Sequence, residues 1–252
     1  RDRTHSVKIS FVLVGIWWFV FSQYSFYHLP GKNHYNVDKS KLSSISTLLS
    51  GFNQLITVFN QLKSNRKLRI FLLSFFIFTI PTQTIILLAS YFGADLNEIS
   101  WKNEATMQTG LIIAIIVIQI LAAVGAYLSA KFSSVLGNIN TLIWINILWA
   151  IICLFGYFVT SPIQFYFAAG FIGLGMGAIQ SLSRSTYSKL IDVKYSTSYF
   201  SFYDVSQKLS IVLGTSIYAT MDVFTGSIRL AILLFAIMFI PSIYILFKIS
   251  KN

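Results

Sequence analysis

Charge is scarce in this chain, and acid is scarcer still. Of 252 residues only 11% are charged, and Asp and Glu together number 8. Soluble domains carry roughly a quarter charged residues, so a chain this poor in charge is not built to face water on all sides. Cysteine is down to Cys153 alone, which excludes an intrachain disulfide. His5, His28 and His34 are the only histidines, and they fall at or beyond the ends of the first apolar run. No acid–histidine, serine–histidine or metal-ligand grouping therefore lies inside an apolar run. The chain is read as a non-enzyme that needs no cofactor and no metal.

What is present is apolar: 55% of residues are hydrophobic and 16% aromatic. A membrane-crossing helix needs about 20 largely apolar residues. Runs of that kind lie at 9–29, 69–92, 109–131, 139–160, 163–183, 203–221 and 227–248. The fifth and sixth carry polar ends. No sustained polar–apolar alternation suggests a membrane barrel, and lipid tolerates no unpaired backbone groups, so helices remain. The fold class is all-α, a polytopic helix bundle with about seven spans. The run 9–29 is longer and more aromatic than a signal peptide's core and lacks a small-residue cleavage site. It is read as a span.

The net charge of +11 sits in short loops. That pattern orients a membrane protein and does not imply nucleic acid. The 30–68 loop carries Lys32, Lys39, Lys41, Lys63, Arg66 and Lys67 against Asp38, whereas 93–108 carries Asp95, Glu98 and Glu104 against Lys102. Lys131, then Arg184, Lys189 and Lys194, then Lys248 and Lys251 continue the basic side, while the 222–229 turn holds Asp222 and Arg229. The basic loops and the C-terminus are therefore expected in the cytoplasm. Richness in Ile, Phe, Lys and Asn hints at a bacterial source, hence a bacterial cell membrane. Within 42–62, Leu42, Ile45, Leu48, Leu49, Phe52, Leu55, Ile56, Phe59 and Leu62 recur at helical spacing. This amphipathic helix either lies on the membrane surface or packs on the cytoplasmic ends of the bundle.

Several polar groups sit inside the apolar runs. Gly170, Gly173, Gly175 and Gly177 lack the strand context of a nucleotide loop. Ala169, Gly173 and Gly177 fall four apart, a small-residue face for close helix packing. Gln180, Ser181, Ser183 and Arg184 end that helix. They form either an ordinary helix end with a snorkelling arginine or part of a path. Asp204 and Lys208 are four apart, near an expected helix start. They form either a self-satisfied pair or an inner gate with Arg184, between whose cations Asp204 would exchange. Thr79, Pro81, Thr82, Gln83 and Thr84 interrupt the span 69–92, either as a kink healed by threonine hydroxyls or as a broken-helix substrate site. Gln119 and Asn146 are read as interhelical hydrogen-bonding amides.

Some of these residues form a recognisable pattern. The stretch Gly177-Ala178-Ile179-Gln180-Ser181-Leu182-Ser183-Arg184-Ser185 resembles the Gly-x-x-Gln-Ala-Leu-Ser-Arg-Ser signature of the vacuole-effluxer-like branch of the major facilitator superfamily. Ser198-Tyr199-Phe200-Ser201-Phe202-Tyr203-Asp204-Val205-Ser206-Gln207-Lys208 is similar to its Phe-Phe-Gly-Leu-Tyr-(Asn/Asp)-Val-Ser-Gly-Lys stretch. Gln83-Thr84 stands where the family has Gln-Thr in its seventh helix, and Ile16-Trp17-Trp18-Phe19 with Phe21-Ser22 resembles its sixth. The resemblance departs at Ile80-Pro81, where the family usually has an Asp-Gly pair. It departs again at Ala130-Lys131-Phe132-Ser133-Ser134, which lacks the acid of Asp-Arg-x-Gly, and at Gln207, where the family has glycine.

The resemblance implies that residues 1–29 are the sixth helix, 30–68 the central cytoplasmic loop and 69–252 the six-helix C-terminal half, with about five helices upstream of Arg1. It implies a secondary transporter that exports a small solute, such as an amino acid or similar metabolite, by alternating access. Gln83, Thr84 and Gln180 would line the path. Arg184, Asp204 and Lys208 would form the gate, with Asp204 the acid placed to couple protons. The partners would be the solute, the lipid bilayer and a proton as coupling ion. The rival expectation is a non-transporting membrane scaffold or sensor.

Overall fold

The computed structural model describes residues 2–28, 56–96 and 98–251, with side chains from residue 8. These fall into two units, Arg1–Gly51 and Phe52–Asn252. Among the described residues the regular elements are all helical. The first 14 positions of the amphipathic helix expected at 42–62 lie outside the described residues, as does His34.

In the first unit, α1 runs Asp2–His28 as one unbroken helix. Its polar side chains bond to the helix itself: Ser22 Oγ donates to Trp18 O at 2.7 Å and Ser25 Oγ to Phe21 O at 3.1 Å. That local pairing lets an apolar helix carry serines without stranding donors in lipid.

The second unit holds α2 (56–64), α3 (Arg66–Ala94), α4 (Glu104–Leu136), α5 (Asn138–Phe158), α6 (Pro162–Leu190), α7 (Ser196–Thr225) and α8 (Ile228–Ser250). The helix starts follow capping chemistry. Asn65 Oδ1 accepts from Leu68 N, Asn103 and Thr106 form a reciprocal box, and Ser161 with Gln164 forms another ahead of Pro162. Gly137, at φ +82°, makes the tight α4–α5 turn in a region that a side chain rarely adopts. Among the described residues, α1, α3, α4, α5, α6 and α8 are long and apolar enough to cross a membrane. The seventh expected span, α7, has the length at 30 residues but is more polar than these six.

The helix ends correct the sequence reading twice. α6 does not stop at residue 183 but continues to Leu190, so Ser183 and Arg184 sit inside a helix. α7 starts at Ser196, seven residues before 203, so Asp204 lies in its third turn and gains nothing from the helix N-terminus. The reason is tertiary. Thr186 and Tyr187 are buried, Tyr187 Oη donates to Tyr199 O at 2.8 Å, and Tyr187 packs on Phe200 and Tyr203. Contacts of that kind extend both helices past their apolar stretches.

α3 is the central helix. It buries fourteen residues, among them Phe71, Phe75, Phe78 and Leu88. It is not interrupted at Pro81: the helix is continuous from Arg66 to Ala94. Thr82 Oγ1 bonds Phe78 O at 2.6 Å and Thr84 Oγ1 bonds Ile80 O at 2.7 Å, so local hydroxyls support the carbonyls around the proline. α5 and α8 close one flank through Trp149 stacked on Phe239. There a buried polar bridge runs Ser74 Oγ to Ser242 O at 3.2 Å and Ser242 Oγ to Asn146 Oδ1 at 3.1 Å. Asn146 thus makes the interhelical bond expected of it. Gln119 does not: it is exposed on α4 and bonds to no described residue.

α4 and α6 close the other flank through small residues. The five residues that α4 buries are Gly110, Ala114, Ala122, Gly125 and Ser129. A methyl group at Gly177 would collide with the Ala122 carbonyl, and one at Gly173 would stand 2.6 Å from Ile118 O. Ala169, one turn further, is buried on the same helix. Such backbone approach is what small residues allow in lipid, where no hydrophobic force presses helices together.

α2 packs on the end of this unit where α3 begins. It buries Val58 and Leu62, sets Phe59 beside Phe202, and accepts on Gln61 Oε1 from Tyr199 Oη at 2.8 Å. Of the two placements open from sequence, the described part of the amphipathic helix takes the bundle end.

Candidate functional site

Polar residues in apolar helices are costly, and they are tolerated where they face a partner or a water-filled space. α3, α6 and α7 gather several at one place. A cavity of about 110 Å³ is lined by Thr79, Thr82 and Gln83 from α3, Gln180, Ser183 and Arg184 from α6, and Gln207 from α7. Phe75, Phe78, Ile179 and Tyr203 supply its apolar wall. Residues from three helices meet because each sits on the face that its helix turns toward the other two.

The cavity has a distinct chemistry. Arg184 is its one charged residue, and no acid lines it. The guanidinium rests over the Phe200 ring at 5.1 Å. The amides of Gln83, Gln180 and Gln207 bond to no described residue. Ser183 is 1% exposed and its Oγ has no hydrogen-bond partner. Buried hydroxyls are normally paired; among the described residues the other buried side-chain polar atom without a partner is Trp149 Nε1, which lies outside this cavity.

The sequence-expected residues divide clearly. Gln83, Gln180 and Arg184 share the cavity. Thr84 does not. It is fully buried, bonds back to Ile80 O and presses on Gly214 of α7, where a methyl group would collide with its hydroxyl. One residue along a helix is a turn of about 100°, which takes Thr84 away from the face of Gln83. Asp204 and Lys208 are exposed on α7, and no ion pair joins either of them to the other or to Arg184. The self-satisfied pair expected from their spacing is thus not formed. Thr79, Thr82 and Ser183, members of the polar groups weighed from sequence, line the cavity too, and Tyr203 and Gln207 line it without having been singled out for a path. The one available signal was Gln207, an amide replacing a glycine.

At this end of the unit Tyr199 is buried near Asp192. Burial, and then the Asp192 carboxylate, push the Tyr199 phenol above its ordinary range, and its hydroxyl donates to Gln61 Oε1.

The opposite end of the second unit is built differently. Arg229, at the start of α8, donates from Nε to Glu98 Oε2 at 2.6 Å, from Nη2 to Glu98 O at 3.1 Å and Val159 O at 2.8 Å, and from Nη1 to Tyr157 O at 2.5 Å. Its guanidinium also covers the Phe92 ring at 5.4 Å. One side chain ties the α3–α4 loop, the α5–α6 turn and α8. The sequence signal for it was faint: opposite charges in two loops on the same expected side of the membrane.

Comparison with known proteins finds several relatives. The chain is 25% identical over 240 residues to an uncharacterized MFS-type transporter, YxiO, of Bacillus subtilis, covering 95% of this chain and 53% of that protein. It is 27% identical over 262 residues to autophagy-related protein 22 of Vanderwaltozyma polyspora, covering 93% of this chain and 49% of that one. Against autophagy-related protein 22 of Saccharomyces cerevisiae the figures are 26% over 277 residues, 98% and 51%. The chain therefore spans about half the length of the curated relatives it matches. A family match covers residues 1–252, and it is to the family that the Ser183-Arg184-Ser185 block resembles. The chain belongs to the vacuole effluxer Atg22-like family.

Proposed function

We propose that this chain is part of a secondary transporter that moves a small solute across a membrane by alternating access, as an exporter of amino acids or similar metabolites. The observation that carries the reading is the polar cavity on α3, α6 and α7, whose amides and buried hydroxyl have no protein partner. Solute sites in transporters lie where helices of one half face the other half, and rocking exposes them to each side in turn. Gln83, Gln180 and Arg184 contact the solute, while Thr84 supports α3 against α7. The Gly173–Gly177 face keeps α4 and α6 moving as one body. The basic end and the C-terminus face the cytoplasm, in keeping with the distribution of Lys and Arg, in a cell membrane of bacterial type. Asp204 and Lys208, exposed on α7, serve as gate and proton-coupling groups.

The test is flux. The full-length gene product is reconstituted in vesicles and assayed for uptake and exit of labelled amino acids, sugars and peptides with and without a pH gradient. Solute movement that depends on Gln83 is the expected result. Absence of flux and of thermal stabilisation across the panel would leave a membrane scaffold or sensor as the function. Unchanged pH-driven flux in Asp204→Asn would remove Asp204 from the coupling step.

A further inference from the structure

The chemistry of the cavity says more than its polarity. It has one fixed positive charge, Arg184, and no acid in its lining. Its other polar groups are neutral: three glutamine amides, the Tyr203 phenol and the hydroxyls of Thr79, Thr82 and Ser183, of which that of Thr82 already donates to Phe78 O. An arginine fork matches the two oxygens of a carboxylate, and amide and hydroxyl donors complete the shell of such an anion. An ammonium group would meet the opposite: a like charge and no counter-ion. The volume of about 110 Å³ is well below the roughly 300–1,000 Å³ of pockets that enclose whole small molecules. The cavity is a seat for a head group, with the rest of the solute outside it.

A single counter-charge also decides between anions. A monocarboxylate is neutralised by one guanidinium, whereas a phosphate dianion would bring a second charge for which the lining, with Arg184 exposed and Phe75 and Phe78 beside it, holds no partner. Ser183 adds an independent observation. The residue lines the cavity and is 1% exposed, and its hydroxyl has no partner. That donor is left for a guest.

We propose that this cavity is a carboxylate seat in which Arg184 is the counter-charge and Ser183 with the glutamine amides are the donors, and that it does not read an amine. The inference rests on the transporter reading and narrows it. Carboxylic acids should be accepted whether or not they carry an α-ammonium group, and amines that lack the carboxylate should be refused.

The experiment uses four probes that share one isobutyl group: leucine, 2-hydroxy-4-methylpentanoate, 4-methylpentanoate and 3-methylbutylamine, with inorganic phosphate as a fifth. Flux of each is measured in vesicles containing the full-length gene product. Equilibrium binding is followed by ligand-dependent thermal shift. The three carboxylates should move with affinities within about tenfold of one another, and the amine and phosphate should not. Arg184→Gln should weaken the carboxylates by about tenfold or more, the loss of a hydrogen bond to a charged group, and Arg184→Lys should recover part of it. Gln180→Glu, at an exposed position, should weaken the carboxylates in the same direction even if the arginine variant folds poorly. Movement of the amine as readily as the acids, or carboxylate affinity unchanged in both Arg184→Gln and Gln180→Glu, would overturn the carboxylate seat while leaving the transporter reading intact. A leucine affinity more than about a hundredfold above the two amine-free acids would overturn the claim that the amine goes unread. Movement of phosphate but of no carboxylate would overturn the choice of anion. If no probe and no solute of the wider panel binds or moves, both readings fall together.

Discussion

Arg229 and Arg184 stand near opposite ends of the second unit and have opposite surroundings. Arg229 spends its guanidinium on protein: one carboxylate and three backbone carbonyls, drawn from two connections beside its own helix. Arg184 meets a single aromatic ring and an open polar cavity. The same side chain thus serves as a structural knot at one end and as an unspent charge at the other. The difference shows how a helix bundle in lipid separates rigidity from recognition. Carbonyls at helix ends, which have no intrahelical donor, absorb one arginine completely. The middle of a helix face offers no such acceptors, so an arginine there keeps its capacity for a guest.

The sharpest way to break this contrast is to truncate each arginine in turn. Arg229→Met should destabilise the protein by about 2–4 kcal/mol, because Glu98 and the carbonyls of Tyr157 and Val159 lose their donor at once. Arg184→Met should change stability by no more than about 0.5 kcal/mol, as for a surface substitution. Thermal unfolding in detergent, read side by side, measures both. Equal losses would mean that Arg184 is held by contacts comparable to those of Arg229. A smaller effect is expected from Glu98→Gln. The Arg229 and Glu98 side chains are 21% and 20% exposed, so their charges are only partly removed from water. The amide oxygen can still accept from Nε, and the three carbonyl bonds remain. A loss of about 1 kcal/mol is expected. A loss as large as that of Arg229→Met would place the whole clasp on the ion pair.

The same contrast explains what could be read in advance. The spans of α3, α4, α5 and α8 followed from hydropathy, because lipid selects for uninterrupted apolar runs. The ends of α6 and α7 did not, since Thr186, Tyr187 and Tyr199 look like a polar loop until they are seen buried on one another. Gln83, Gln180 and Arg184 stood out as polar residues near or within apolar runs. Thr84 was grouped with Gln83 through the Gln-Thr resemblance, but helical rotation separates them, and a sequence does not reveal which face of a helix meets its neighbour. Ser183 could not be distinguished from Ser181 without the structure: Ser181 Oγ lies 3.2 Å from Ser129 Oγ, and Ser183 Oγ has no partner at all. The Arg229 clasp depends on backbone carbonyls, which carry no sequence identity.

The smallest effects come from two buried serines, and their signs should differ. Ser242 Oγ lies 3.1 Å from Asn146 Oδ1, within the bridge that joins α3, α5 and α8. Ser242→Ala removes a hydroxyl proton shared between that amide oxygen and Phe239 O, and a polar contact between membrane helices is worth about 0.6–1 kcal/mol. Ser183 is equally buried but unpaired, so Ser183→Ala removes a desolvated hydroxyl and keeps the packing. It should raise stability, by about 1 kcal/mol at most, while lowering affinity for a carboxylate probe. Stability and binding then move in opposite directions at one residue, which is the mark of a group retained for its ligand. A loss of stability on Ser183→Ala would mean instead that water already pairs the hydroxyl. The solute head would then have to displace that water, and the gain in affinity from Ser183 would shrink accordingly.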